Sequence, residues 1–209
     1  PFIDNIVLPG MLHCAILRSP FAHARIVSID SSRAGAHPGV LAIATGEDAR
    51  RWTTPAPTVP EDWGSYCLAV DKVRFVGEPV VAVAATDRYL AEDALELIEI
   101  EYEALEVVAD PFLAQAEGGP LIFEDKGTNV MLSRVFSWGD VDKAIAGAKH
   151  VVTEKFRWHR MGANPIETFG VVAQWDPVEE AISCQGSFQS QSQMALIRAT
   201  VFGLPLNKV

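Results

Sequence analysis

Cysteine is scarce in this 209-residue sequence: Cys14, Cys67 and Cys184 stand far apart, and no two of them form a CxxC pair. An odd number of scattered cysteines supports neither a disulfide framework nor a zinc or iron–sulfur cluster built by this chain. Proteins without disulfides are typical of a reducing compartment. We therefore expect a cytoplasmic protein.

Basic residues and long apolar runs are also few. Lys and Arg number 17 against 27 Asp and Glu, so the formal net charge is −10, and no basic cluster offers a surface for nucleic acid or anionic lipid. The longest apolar runs, such as PVVAVAAT at 79–86, are far too short to span a bilayer. Because 49 % of the residues are nevertheless hydrophobic, we expect a globular, soluble chain with one large or two small cores.

The motifs by which side chains alone build a catalytic centre are missing as well. The sequence has no GxSxG elbow, no Walker loop and no GxGxxG after a predicted strand. Its five histidines form no HExxH or HxH pattern and no i, i+4 pair, so they do not predict a metal site built by the protein. We predict no catalytic side chain and no protein-held metal within these residues.

Two smaller features allow a chemical reading and a structural one. Glu99, Glu101 and Glu103 share one face of an alternating strand, which is compatible with a metal or acid–base cluster but more typical of a solvated face. The thiol of Cys184 could act as a nucleophile. However, Cys184 lies mid-strand among apolar neighbours, where a buried thiol is inert. We predict the structural role for both.

Short alternating stretches and short helices predict an α+β fold. Strands are expected at 11–19, 23–30, 39–45, 73–77, 80–86, 99–108, 150–159, 168–175 and 181–188, and helices at 88–98, 140–148 and 190–202. Gly46 is expected to end a strand, Thr86 or Asp87 to cap the helix that follows, and the proline-rich residues 52–66 to form a loop. This order divides the chain into a domain at 1–110, a linker at 111–125 and an incomplete second domain at 126–209.

The stretch CQGSFQSQSQ at 184–193 holds four glutamines in ten residues. Gln189 falls where the last predicted strand gives way to the last helix. A helix start leaves N–H groups unpaired and carries partial positive charge, which suits an anion or a metal oxo group. Glutamine donates and accepts hydrogen bonds without net charge. The alternative is that these glutamines only decorate an exposed helix start that Ser190 and Ser192 cap.

Long segments of the sequence resemble one enzyme family. Residues 8–48 and 73–111, from LPGMLHCAILRSP to EALEVVADP, resemble the hammerhead domain of the aldehyde oxidase and xanthine dehydrogenase family. The segments HRMGANPIETFGVVAQWDP and SCQGSFQSQSQMALIRATVFGLPLNKV resemble the start of that family's molybdopterin-binding domain, in the form of the three-subunit carbon monoxide dehydrogenase-like enzymes. The resemblance implies an N-terminal fragment, about a quarter, of a large molybdenum subunit.

The same resemblance implies a site and a cofactor. In that family, a glutamine before the helix that ends in a Leu-Gly-x-Pro turn hydrogen-bonds an oxo ligand of the molybdenum. Here the turn is FGLP and the matching residue is Gln189, with Phe188 and Ser190 adjacent, while Phe202 replaces the leucine. The metal is held by the pterin, which carries a cytosine dinucleotide in these enzymes. The glycine-rich cofactor loop, the substrate pocket and the essential glutamate base of the family have no counterpart in these residues.

The activity implied by the resemblance is oxidative hydroxylation of a small substrate by water-derived oxygen, with aldehydes, N-heteroaromatics, purines and carbon monoxide left open. The implied partners are the remainder of the large subunit, a small subunit with two [2Fe-2S] clusters and a medium subunit with FAD, assembled as a dimer of heterotrimers. The alternative is a noncatalytic scaffold or interaction module that retains the hammerhead fold. A glycine-rich loop after Val209, or in a companion chain, would favour the enzyme.

Overall fold

The structure of the chain, a computed structural model, describes residues 2–159 and 161–209. The strands are β1 (His13–Arg18), β2 (Ala24–Asp30), β3 (Val40–Thr45), β4 (Lys72–Val73), β5 (Pro79–Ala85), β6 (Glu99–Ala104), β7 (Val171–Asp176) and β8 (Ala181–Gly186). The α-helices are α1 (Ser32–Gly35), α2 (Gly46–Trp52), α3 (Arg88–Leu95), α4 (Val141–Gly147) and α5 (Gln191–Phe202). Antiparallel sheets with helices packed beside them confirm the α+β class.

Two three-stranded antiparallel sheets form the first half of the chain. Their strand orders are β1-β5-β3 and β4-β2-β6. Strand β5 lies in the middle of its sheet, and Val80, Val81, Val83 and Ala85 are all fully buried there. The apolar run at 79–86 is therefore a central strand that pairs on both edges, His13 with Ala85 on one side and Val40 with Ala85 on the other.

The hydrophobic core is built from small side chains. Its buried cluster contains residues between Ala24 and Ile98, and the largest fully buried side chains are the valines Val73, Val80, Val81 and Val83. Helix α3 adds Ala91 and Ala94, whose lack of bulk lets the helix approach the sheet closely. Asp87, one of the two predicted caps, begins this helix and accepts hydrogen bonds from the N–H groups of Tyr89 and Leu90 at 2.8 and 3.4 Å.

Two helices in the first half were not predicted. Gly46 does follow the last residue of β3, but it also begins helix α2. The signal was present in the sequence: Asp48, three residues after Thr45, accepts hydrogen bonds from the Thr45 amide and hydroxyl at 2.9 and 3.0 Å. A Cβ atom on Gly46 would lie 2.1 Å from the carbonyl oxygen of Ala69, so the chain crosses here at a distance that only glycine permits.

Several predicted strands are shorter, and one is wrong. The strand predicted at 73–77 is reduced to Lys72–Val73, and residues 150–159 contain no strand in the structure. An extended segment becomes a strand only when a neighbour satisfies its backbone groups. Among the described residues, β7 and β8 pair with each other and with no third strand. The alternation at 150–159 therefore remains without a pairing strand in this structure.

Residues 120–129, which we call the strap, lie against the first half of the chain. The buried Lys72 ammonium donates to the carbonyl of Ile122 at 2.6 Å and to the carboxylate of Glu124. Phe123 packs its ring 5.0 Å from that of Trp63. Asn129 then ties the strap together, because its carboxamide accepts from Ile122 N–H and donates to two backbone carbonyls, those of Ala114 and Pro120. Most of the predicted linker is thus held by specific contacts.

Among the described residues, none of the helices combines the length and the hydrophobicity that crossing a bilayer requires.

Candidate functional site

The predicted glutamine lies at a strand-to-helix junction. Strand β8 ends at Gly186 and helix α5 begins at Gln191, so residues 187–190, which we call the Gln189 turn, join the two. Gln189 is exposed, and Phe188 beside it is half-buried. The antiparallel pairing of β7 with β8 sets where the turn begins, since Gly186 lies opposite Val171.

The start of helix α5 is open to a ligand. Ser190 is its N-cap residue with an extended backbone (φ −139°, ψ 100°), but the Ser190 side chain makes no capping hydrogen bond, and the first turn has no acidic residue. The N–H groups of the first turn therefore keep their partial positive charge without a protein carboxylate to neutralise it. The predicted capping role of Ser190 as a hydrogen-bond acceptor is wrong in this structure.

The other three glutamines of the stretch, Gln185, Gln191 and Gln193, are exposed too. On α5, the predicted stripe of Met194, Ile197 and Val201 is half-buried. The helix ends at Gly203, whose left-handed backbone (φ 64°) terminates it as the FGLP pattern predicted. The helix boundaries and its inward face follow the sequence pattern.

The far end of α5 is attached to the first half of the chain. The Thr54 N–H donates to the carbonyl of Val201 at 2.9 Å, and the Thr54 hydroxyl donates to the carbonyl of Thr200 at 3.3 Å. At the other end of the chain, Ile3 N–H donates to the Glu167 carboxylate at 3.0 Å. Sequence reasoning missed these attachments, because residues so far apart in the chain show no common pattern.

The other candidates have structural roles. Glu99 and Glu103 are exposed and pair with Arg33 and Arg25 at 3.3 and 3.1 Å across the sheet surface. The solvated face predicted for these glutamates is confirmed. Cys184 is half-buried in β8 and lies opposite Ala173. Within residues 2–159 and 161–209, no group of three or more His, Cys, Asp or Glu side chains is placed to hold a metal ion.

A set of buried ionisable groups was not predicted. Lys72 and Glu78 are only 7 % and 6 % exposed. Burial raises the pKa of the Glu78 carboxyl, although the hydrogen bond from the Arg74 N–H opposes this. A cavity of about 170 Å³ between α2 and the strap is lined by Glu78, Arg74 and Arg50 among others, and by no residue of 186–202. It is separate from the Gln189 turn.

The residues of the Gln189 turn fit a group that presents oxygen atoms. Gln189 offers an exposed carboxamide with an NH₂ donor, and the α5 start offers unpaired backbone donors with no competing carboxylate. None of these groups would displace a ligand from a metal, as an imidazole or thiolate would. The arrangement therefore suits hydrogen bonding to a cofactor whose metal is already coordinated by something other than the protein.

Two family descriptions match consecutive parts of the chain. Residues 1–106 match "Aldehyde oxidase and xanthine dehydrogenase, a/b hammerhead domain". Residues 122–209 match "Molybdopterin cofactor-binding domain". The Gln189 turn and helix α5 lie in the second match.

Curated relatives and solved structures agree with these matches. The carbon monoxide dehydrogenase large chain of Afipia carboxidovorans is 37 % identical over 100 % of this chain and 27 % of that protein. Subunit gamma of the 6-hydroxypseudooxynicotine dehydrogenase complex of Paenarthrobacter nicotinovorans is 39 % identical over 98 % of this chain and 26 % of its own length. The crystal structure of quinoline 2-oxidoreductase from Pseudomonas putida 86 superposes with a TM-score of 0.87 at 35 % identity, covering 99 % of this chain and 27 % of that one. The chain thus spans about a quarter of the length of the relatives it matches.

Proposed function

Because this chain belongs to the aldehyde oxidase and xanthine dehydrogenase family, we propose that it is part of the large subunit of a molybdenum hydroxylase, in which the Gln189 turn contacts the cofactor. Family membership confirms the resemblance inferred from the hammerhead and FGLP segments. The activity we propose is oxidative hydroxylation of a small substrate with oxygen derived from water.

One observation carries the proposal. The part of the chain that matches a molybdopterin-binding domain places an exposed, uncharged donor, Gln189, directly before a helix start that no carboxylate neutralises. A surface helix of an ordinary domain usually has a capping side chain or an acidic first turn at this position. Here both are absent, which leaves the donors available for a bound group.

When bound, the molybdenum with its pterin supplies the two-electron oxidation, which side chains cannot perform. The chain's own residues bind and orient that group. The Gln189 carboxamide would donate an N–H to an oxygen atom of the group, and the first N–H groups of α5 would favour negative charge nearby. The Ser190 hydroxyl, free of a capping bond, is a further donor at the same point. Each contribution is a hydrogen bond without net charge, so the residues orient the group and leave its coordination unchanged.

The finer assignments follow from the relatives. Several are named as one subunit of a complex, such as "large chain" or "large subunit", which supports partner subunits here. We propose the cytosine dinucleotide form of the cofactor, [2Fe-2S] clusters and FAD on small and medium partner subunits, the remainder of the large subunit, and a dimer of heterotrimers in the cytoplasm. The named relatives act on carbon monoxide, a nicotine derivative and quinoline at 35–39 % identity, so similarity favours no single substrate.

Metal and flavin analysis of the purified native complex tests this function. We expect molybdenum, iron and FAD to copurify with this polypeptide. A preparation that oxidises its substrate fully without molybdenum would overturn the proposal.

A further inference from the structure

We propose that Arg198 is a positioning residue that holds the ring of Phe188 and so fixes the Gln189 turn. The idea deepens the proposed function, since it concerns the residue next to Gln189. Its main test measures how well ordered the turn is and does not depend on activity. The positioning role of Arg198 and the cofactor contact of Gln189 can therefore be contradicted separately.

Arg198 reaches back along its own helix. Side chains on a helix lean toward its N-terminus, which carries the guanidinium of a residue in the second half of α5 toward the helix start. The Arg198 Nε donates to the carbonyl of Met194 at 3.0 Å, and this bond fixes the plane of the guanidinium. The Arg198 Cζ then lies 4.6 Å from the centroid of the Phe188 ring. This distance is typical of a cation–π contact.

Two further contacts enclose the same ring. The Phe169 ring meets it edge-on, with centroids 6.0 Å apart and planes at 62°. Gly186 lies beneath it: a Cβ atom there would be 2.8 Å from Phe188 Cζ and 2.7 Å from the carbonyl oxygen of Gly170. The ring is therefore held by a cation, a neighbouring aromatic ring and a backbone approach that only glycine allows. As at Gly46, a side chain at Gly186 would collide with backbone.

Few backbone bonds tie the start of the turn to the rest of the molecule. Ser187 N–H donates to Gly170 at 3.4 Å, a long bond, and Phe188 N–H donates to Gly186, the last residue of β8, at 3.1 Å. At the other end of the turn, the Ser190 carbonyl accepts from Met194 N–H at 3.0 Å. The Ser190 side chain makes no capping bond. Apart from the bond that joins Ser190 to α5, the contacts that attach the turn are thus mainly those of the Phe188 ring. Because Gln189 is bonded to Phe188, fixing the ring restricts the backbone of Gln189.

Hydrogen exchange of the full chain within its complex provides the test. In Arg198→Met, which keeps the length of the side chain but removes the cation and the Nε donor, we expect amides 187–193 to exchange about tenfold faster. Exchange at β5 and α3 should stay as in the wild type. Arg134→Met, a change of the same chemistry at an exposed arginine, is the matched control and should leave residues 187–193 unaffected. Unchanged exchange in Arg198→Met would overturn the proposal.

A second variant separates loss of the contact from general damage. Phe188→Leu removes the aromatic face, so adding Arg198→Met to it should increase exchange no further, because both changes remove one interaction. Additive effects would contradict the assignment.

Turnover per bound molybdenum distinguishes the positioning role of Arg198 from the cofactor contact of Gln189. Faster exchange in Arg198→Met with no loss of turnover in Gln189→Ala supports the positioning role and contradicts the role of Gln189. The opposite pattern, normal exchange in Arg198→Met with lost turnover in Gln189→Ala, contradicts the positioning role alone.

Discussion

Gln189 shows at the residue scale why an uncharged side chain is suited to its position. A carboxylate at the start of α5 would neutralise the helix end, and an imidazole would compete for the metal. The exposed carboxamide does neither, and it can still donate. The chemistry of one side chain therefore accounts for a glutamine where packing imposes no choice.

Substitution of Gln189 tests this role. In the contact that we propose, Gln189→Ala removes a donor close to developing negative charge, and losses of this kind lower the rate by about 10² to 10³ when the bond acts in the transition state. Gln189→Glu should be at least as harmful, because an ionised carboxylate cannot donate and repels an anionic oxygen. Gln193→Ala, exposed one helical turn later, is the control. The measurement is turnover of the holoenzyme per bound molybdenum, and wild-type values in both Gln189 variants would contradict the role.

The Lys72–Glu124 pair gives the strap a pH-dependent attachment. The hydrogen bond from the Lys72 ammonium holds the pKa of the Glu124 carboxyl below its ordinary value. A folded-state pKa below the unfolded value stabilises the native state above the ordinary glutamate pKa of about 4.3, and this stabilisation is lost as the pH falls through the lower, folded-state pKa. Because more than half of the Glu124 side chain is exposed, we expect a small effect.

The corresponding prediction is that Glu124→Gln lowers the free energy of unfolding mainly above about pH 5. Between about pH 5 and 3, this free energy should depend less on pH in the variant than in the wild type. Urea unfolding at several pH values, followed by tryptophan fluorescence, measures it. Trp63, which packs against Phe123 of the strap, contributes to this signal. Asp125→Asn, at the neighbouring exposed carboxylate, is the comparison: its ion-pair partner is the adjacent Lys126, and Lys72 is only a minor cause of its lowered pKa, so we expect a smaller loss than in Glu124→Gln. Parallel pH profiles for Glu124→Gln and the wild type would refute the attachment.

At the scale of elements, two glycines in helices show how differently the same residue is used. Gly46 begins α2 beneath the backbone of Ala69, whereas Gly147 ends α4 with nothing within 4 Å of the site of a Cβ atom. Both look alike in the sequence, as glycines at the edge of a predicted element. Only the contact with Ala69, 23 residues later in the chain, makes Gly46 necessary.

The two glycines form a matched pair of substitutions. Gly46→Ala should destabilise the chain by about 3 kcal/mol, the upper end of the cost of overpacking, because the blocking atom is backbone and cannot rotate away. Gly147→Ala should be neutral or stabilising by up to about 1 kcal/mol, since alanine favours the helix. Thermal unfolding of both variants checks this. Equal midpoints would mean that the approach at Gly46 relaxes without cost.

On the scale of the whole molecule, stability is concentrated in the first half of the chain. The residues of the buried cluster lie between Ala24 and Ile98. Among the described residues of the second half, 111–159 and 161–209, the one buried hydrophobic residue is Ala199. An isolated two-stranded sheet such as β7-β8 is at best marginally stable in water. The second part is therefore held largely by its attachments, the strap and the Thr54 contact with α5.

This distribution predicts the behaviour of separate segments. Residues 1–110 should unfold cooperatively on their own, and residues 120–209 should not. Residues 1–130 should unfold at higher denaturant than 1–110, because the strap restores the partners of the buried Lys72. Circular dichroism during urea titration of the three segments is the measurement. A cooperative transition for 120–209 would contradict the boundary at residue 110, and equal midpoints for 1–110 and 1–130 would contradict the stabilising role of the strap.

The sequence by itself determined the α+β class, the family, the limits of α5 and the identity of Gln189 as the candidate contact. These depend on local patterns: the short apolar run of β5, the cap at Asp87, and the spacing of Gln189 from the FGLP turn. Local patterns are readable because propensity, capping and periodicity act over a few residues.

Whether a predicted strand is paired, and whether a charged side chain is buried, depends on the tertiary structure. Residues 150–159 and β5 were both predicted as strands, yet of these two segments β5 has strands on both sides and residues 150–159 have no pairing strand. In the sequence, nothing distinguishes Lys72 from a lysine on the surface. It is buried because the strap, about 50 residues later, supplies a carbonyl acceptor and a carboxylate. The Phe169 ring meets that of Phe188 because β7 pairs with β8. Burial, pairing and close approach depend on residues distant in the chain, and no local pattern records them.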